Sequence, residues 1–158
     1  MTRLTTALAL AAMLASPAIA ADFEVGPLTV DAPWSRPGIP NRPAAAYMEI
    51  ANTGETADRL VAASSPAFGS IEIHSMEMDD GVMKMFRVDA IEIPPGGSVA
   101  LAPRGFHLML FDADAPFAEG ESFPVTLEFE DAGSVEVTVA VARMGGMDHG
   151  TMDHGESD

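Results

Sequence analysis

The feature that most constrains this chain is how closely its turn-forming clusters are spaced. Pro37, Gly38, Pro40, Asn41 and Pro43, then residues 52–54, 79–81, 94–97, 103–105 and 131–133, divide it into pieces too short for long helices. Each cluster supplies Gly, Pro, Asn or Asp, whose backbone preferences or side-chain hydrogen bonds reverse a chain. The pieces between them have strand character: residues 23–30, 45–51, 60–63, 70–76, 82–88, 91–93, 98–101, 107–111, 123–130 and 134–142. Alternation is cleanest near the end, where Val125, Leu127 and Phe129 interleave with Thr126, Glu128 and Glu130, and Val135, Val137, Val139 and Val141 with Glu136, Thr138 and Ala140. A period of two marks strands buried on one face. Many short strands at this spacing predict an all-β sandwich or barrel with little helix.

Both ends of the chain stand outside that pattern. Arg3, an apolar run over residues 4–14 and the small-x-small triplet Ala18-Ile19-Ala20 read as an export signal over residues 1–20, leaving Ala21 as the first mature residue. The run is too short for a permanent membrane span, and nothing later reaches the roughly 18 to 20 apolar residues that one needs. One folded domain is expected over residues 21–143. Beyond it, residues 144–158 form a His/Met-rich tail with almost nothing to build a core from, expected to be flexible in the absence of metal.

The chain has no Cys. A disulfide framework, a dithiol reductase, a thiolate nucleophile, lipid attachment at the cleavage site and a blue-copper centre, which needs a Cys sulfur, are thereby excluded. A domain of this size can bury its core without such staples. With 24 acidic against 8 basic residues the formal charge is −16, and removal of Arg3 makes it one unit more negative. Phosphate neutralisation needs a basic face, so nucleic acid is not an expected partner. The mature chain is expected to be a periplasmic monomer with no stable membrane insertion.

The informative residues are Met and His. Of eleven Met, two lie in the signal and eight of the other nine follow His74, as do the three remaining His. His107 and Met109 share one face of a strand whose other face carries Phe106, Leu108 and Leu110. The apolar face goes to the core, which leaves His107 and Met109 side by side and reachable. In the run from 71 to 76, Ile71 and Ile73 claim the core and place His74 on the Glu72 face. Across the turn at 79–81, Val82, Lys84, Phe86 and Val88 fall on one face, and Met83 and Met85 on the other. Two imidazoles and two thioethers make a soft, uncharged set suited to Cu(I) and poorly suited to Mg²⁺, Ca²⁺ or Zn²⁺. Alternation leaves Met83 and Met85 equivalent. Met76 and Met78 read first as core filler, since Met packs into irregular gaps, with outer relay thioethers or no role as the alternatives, and Trp34 reads as a buried cover for one end of the sandwich.

His74, ten residues, Met85, twenty-one residues, His107, one residue, Met109 is a spacing that resembles the signature of the PCuAC-type periplasmic copper chaperones. Ala44-Ala45-Ala46-Tyr47, Asn52-Thr53-Gly54, Asp80-Gly81-Val82-Met83-Lys84-Met85, Ile93-Pro94-Pro95-Gly96-Gly97 and Gly105-Phe106-His107-Leu108-Met109-Leu110 extend the similarity over about residues 30–142. The resemblance implies a cupredoxin-like β-sandwich, related to the immunoglobulin-like architecture. It selects Met85 over Met83 and implies Cu(I) held by His74, Met85, His107 and Met109. It further implies delivery to the CuA site of cytochrome c oxidase subunit II, alongside a Sco-type copper protein. Ser75 stands where some relatives carry an additional Met.

The tail repeats Met147-Asp148-His149-Gly150 as Met152-Asp153-His154-Gly155. Met147, His149, Met152 and His154 are candidates for a second, weaker copper site that takes Cu(II), because imidazole and carboxylate on a mobile segment suit that ion. Three competing functions share the composition: a copper storage or resistance protein, a copper-dependent oxidase, and a plain β-sandwich interaction module. A filled four-ligand site and the lack of a His at Ala21 argue against the oxidase. No pair of carboxylates stands at a spacing that argues for acid–base catalysis.

Overall fold

The structure is a computed structural model and describes residues 22–142. The expected export signal and the tail sites at Met147, His149, Met152 and His154 lie outside the described residues. Eleven strands make up the described part: β1 (Phe23–Val25), β2 (Leu28–Ser35), β3 (Ala44–Asn52), β4 (Asp58–Ser64), β5 (Phe68–Asp79), β6 (Val82–Arg87), β7 (Ile91–Ile93), β8 (Ser98–Leu101), β9 (His107–Ala113), β10 (Ser122–Phe129) and β11 (Gly133–Val141). No helix among the described residues is long and apolar enough to cross a membrane.

Hydrogen bonding runs β6-β5-β9-β3-β2-β11-β10-β4-β7, with β1 added to β2 and β8 to β3. All pairings are antiparallel except β2 with β11. The array doubles over a single core, a β-sandwich, and β3 is the strand that links its parts. Residues Ala44, Ala45 and Ala46 pair with β9, whereas Met48 to Ala51 pair with β8. The alternating valines behave as their period requires: Val125, Leu127, Val137 and Val139 are fully buried, with Leu28, Val30, Ile50, Leu60, Leu108 and Leu110 among their neighbours. Asp58 closes the far end. Burial pushes its carboxyl pKa up, but the backbone N–H groups of Arg59 (2.7 Å), Asp131 (3.0 Å) and Ala132 (2.9 Å) donate to it and hold it below the ordinary 3.8.

Two expectations need correction here. Residues 23–30 are not one strand but two, because positive φ at Gly26 lets residues 26 and 27 turn the chain so that Val25 pairs with Leu28. β2 then runs on through Trp34, with a bulge between Asp31 and Trp34 where Ala32 takes a left-handed φ of 45°. Trp34 is therefore not a buried cover. It is half-buried, opposite Tyr47 on β3, with the two rings 4.7 Å apart.

The β5–β6 hairpin projects from this body. Its two-residue turn, Asp80 (φ 47°) and Gly81 (φ 80°), has the positive φ values of a type I′ turn, whose twist matches that of the strands it joins. Every residue of β6 is exposed. The face that carries Val82 and Phe86 consequently meets solvent rather than the core.

Candidate metal centre

Strand register assembles the site. Leu108 and Leu110 turn into the core and leave His107 and Met109 on the opposite face of β9. β5 lies beside β9 with His74 opposite His107 and Glu72 opposite Met109. On the other side of β5, Met76 is opposite Met85 and His74 is opposite Arg87. Directly opposed residues of antiparallel strands point to the same side. Glu72, His74, Met76, Met85, His107 and Met109 thus come together on one surface of three adjacent strands. A depression of about 420 Å³ opens there, lined by Met76, Met85, His107, Met109, Tyr47 and Arg36, among others. A larger cleft of about 500 Å³, under residues 36–44 and 111–117, carries no His or Met in its wall.

The four sequence-predicted residues differ in exposure. Met85 is 49% exposed, Met109 and His74 are half-buried, and His107 is only 4% exposed. His107 is therefore less open than its strand position predicts, because the Met85 side chain lies across it, with Sδ 3.3 Å from Nε2. Tyr47 covers the ring from another side, at 6.5 Å between centroids, and the His74 ring is 5.9 Å away.

Hydrogen bonds fix which nitrogen each imidazole presents. His107 Nδ1 donates to the Gly105 carbonyl at 2.9 Å, which leaves the lone pair on Nε2, the atom facing Met85. His74 is arranged the other way round. Its Nε2 donates to Glu72 Oε2 at 2.8 Å, and its Nδ1 is buried without any partner. A buried nitrogen with no hydrogen bond is costly unless something else satisfies it. The Glu72 carboxyl is held below the usual carboxylate range by the His74 hydrogen bond and by the Arg87 guanidinium, whose Nη1 is 3.3 Å from Oε1. Glu72 is thus ionised and able to accept from an imidazole, the arrangement by which carboxylates orient metal-binding His.

The spacing of His107 Nε2 and Met85 Sδ suits a shared soft ion. An imidazole nitrogen and a sulfur bound at about 2.0 and 2.3 Å to one tetrahedral ion lie about 3.5 Å apart, close to the 3.3 Å between His107 Nε2 and Met85 Sδ. Among the described residues, no group of three or more His, Asp or Glu is placed to hold an ion, so the donor set on offer is imidazole and thioether.

Residues outside the predicted ligand set also belong to this surface. Met76 is not core filler: it lines the depression directly across from Met85. Met78 is 65% exposed and packs into no core. Glu72, Arg87, Tyr47 and Phe111 also surround the two imidazoles. The turn at Asp80-Gly81 was the available signal, because a two-residue turn fixes which β5 residue faces which β6 residue.

Comparison with known proteins is consistent along the whole sandwich. A protein of Leifsonia xyli subsp. xyli described as a "Putative lipoprotein" is 34% identical over 103 residues, 65% of this chain and 62% of its own length. An uncharacterised protein of Rickettsia prowazekii is 36% identical over 115 residues, 70% of this chain and 64% of its own. The chain thus spans less than two thirds of the length of either relative. Among solved structures, a copper-bound PCuAC domain from PmoF2 superposes with a TM-score of 0.68 at 31% identity, covering 78% of this chain and 99% of that domain. A Cu(I) solution structure of a Deinococcus radiodurans protein gives 0.53 at 28% identity, covering 75% of this chain and 80% of that one. The family model described as "Putative lipoprotein LpqE-like" matches residues 28–141, nearly the whole described sandwich, and with the PCuAC domains as its structural neighbours the chain belongs to the LpqE-like, or PCuAC, family.

Proposed function

We propose that this chain is a copper chaperone of the periplasm that binds one Cu(I) through His74 Nδ1, Met85 Sδ, His107 Nε2 and Met109 Sδ and passes it to another protein. The observation that carries the reading is the pairing of a buried, unpartnered His74 Nδ1 with a His107 Nε2 that meets a thioether at 3.3 Å. The PCuAC domain from PmoF2 is copper-bound, which supports the same ion here. Thioethers carry no proton and survive an oxidising compartment, and they bind copper more weakly than thiolate. An acceptor with Cys ligands can therefore take the ion downhill. The CuA centre of cytochrome c oxidase subunit II, with a Sco-type protein alongside, is the acceptor that the family resemblance implies. The chain is read as a carrier and not as an enzyme, with four protein ligands and no position left for substrate.

Residues 1–20 serve as the cleaved export signal in this reading, and residues 21–143 as the copper-binding domain. Met147, His149, Met152 and His154 form a second, weaker site that collects Cu(II). The described chain ends at Ala142, whose N–H donates to the Ser35 carbonyl, beside Arg36 at the edge of the depression.

Titration of Cu(I) into the full chain under reducing conditions, in competition with a chromogenic chelator, tests the centre. One tightly held ion is expected, lost in His107→Ala. Wild-type stoichiometry in that variant rejects the ligand set. Transfer of the ion from loaded protein to an apo subunit II domain separates delivery from storage, and failure of transfer favours storage.

A further inference from the structure

The β5–β6 hairpin sorts its side chains in a way that folding does not require. Counting outward from His74, the rungs on the metal-site face are Met76 opposite Met85 and then Met78 opposite Met83. All four are thioethers. The opposite face carries Ser75 with Phe86, Glu77 with Lys84 and Asp79 with Val82, and the Lys84 ammonium pairs with the Asp79 carboxylate on that side. Beyond the His74–Arg87 rung, charge is thus confined to one face and sulfur to the other. Met78, Met83 and Met85 are 65%, 38% and 49% exposed, so the sulfurs are not filling a core. A structural explanation fails here, because buried area is what an apolar side chain contributes to stability, and these three contribute little.

Resting on the proposed Cu(I) centre, we infer that Met78 and Met83 form an outer, weaker binding site for a soft monovalent ion. Through it Cu(I) moves between solvent or a partner and the His74/His107 centre. Opposed residues on antiparallel strands have Cβ atoms about 4.5–5.5 Å apart, close enough for two flexible thioethers to share one ion. Successive rungs lie about 6.8 Å apart along a strand. Met85 and Met76, on the middle rung, can reach an ion on either side. Transfer is ligand exchange: one sulfur–copper contact breaks as the next forms, with no proton released and no change of oxidation state. The donor set changes from thioether alone at the tip to thioether plus imidazole at the base, so the ion gains nitrogen ligands as it descends.

The test uses the full chain with its methionine methyl groups labelled with ¹³C, and Ag(I) as a redox-inert soft probe. The first equivalent is expected to move the Met85 and Met109 methyl signals, and further Ag(I) the Met78 and Met83 signals, each resolved from those of the tail. Replacement of both outer residues, Met78→Leu with Met83→Leu, should slow removal of Cu(I) by a chelator at least fivefold, while equilibrium affinity at the centre stays within twofold. Met78 and Met83 signals that stay still through several equivalents while Met85 and Met109 move, or wild-type removal rates in the double variant, overturn the outer site alone. Stationary Met85 and Met109 signals reject the central site and the outer one with it.

Discussion

The β10–β11 pair and the β5–β6 hairpin are both antiparallel ribbons, yet they spend their apolar residues in opposite ways. β10 and β11 alternate strictly, and Val125, Leu127, Val137 and Val139 disappear into the core. The β6 strand buries nothing, although Val82, Met83, Met85 and Phe86 are as apolar as the residues of β10. The first ribbon is explained by the hydrophobic effect. The second is accounted for by the proposed chemistry, since exposed thioethers beside two imidazoles offer lone pairs that a core cannot use. Exposure therefore separates the apolar residues of β10 and β11 that hold the fold from the hairpin thioethers proposed to hold the ion.

Substitutions can break or sharpen this contrast. The largest loss of stability is expected in the core: Leu110→Ala should cost about 2–5 kcal/mol in denaturant unfolding, with Cu(I) stoichiometry of the remaining folded protein unchanged. Met85→Leu should reverse that outcome. Its unfolding free energy should stay within about 0.5 kcal/mol of the parent, as for other exposed positions, while Cu(I) affinity in chelator competition falls by more than the roughly tenfold to hundredfold that loss of an outer-shell partner costs. Equal losses of stability and affinity in Met85→Leu would erase the distinction between the two ribbons.

Asp58→Asn tests the closed end of the sandwich. The variant keeps one acceptor oxygen but loses the charge, and should cost about 1–2 kcal/mol at neutral pH. The folded-state pKa of Asp58 lies below its ordinary 3.8. Its contribution is therefore fully present above pH 3.8 and is lost as pH falls through the lower folded value. Stability curves of parent and variant measured against pH should converge in that acidic range, and a constant gap would refute the assignment. The smallest effect belongs to Glu72→Gln. Stability should be unaltered and Cu(I) affinity lowered about tenfold, as when a carboxylate that orients a metal-binding His loses its charge. ¹⁵N spectra of the apo protein should show His74 protonated at Nε2 in the parent.

Much of the fold was legible because period-two patterning and turn residues act locally. The predicted runs at 91–93 and 98–101 coincide with β7 and β8, and those at 123–130 and 134–142 differ from β10 and β11 by a residue. Two misreadings came from causes outside the local pattern. Gly26 divided an apparently continuous run, because its positive φ outweighed the β character of its neighbours. Met76 and Met78 looked like core filler, because composition does not reveal that a hairpin projects beyond the edge of the sandwich.

Within the candidate site, the faces of His74, Met85, His107 and Met109 followed from alternation, and their common spacing followed the family pattern. Their mutual arrangement did not. That His74 faces His107, that Met85 lies over Nε2 of His107, and that Glu72 and Arg87 leave Nδ1 of His74 unpartnered all depend on register between strands far apart in sequence. Alternation is a property of one strand and is written in its own residues. Register is a property of two strands, set here by a turn at one end and by core packing across the sandwich, so only the tertiary structure decides it.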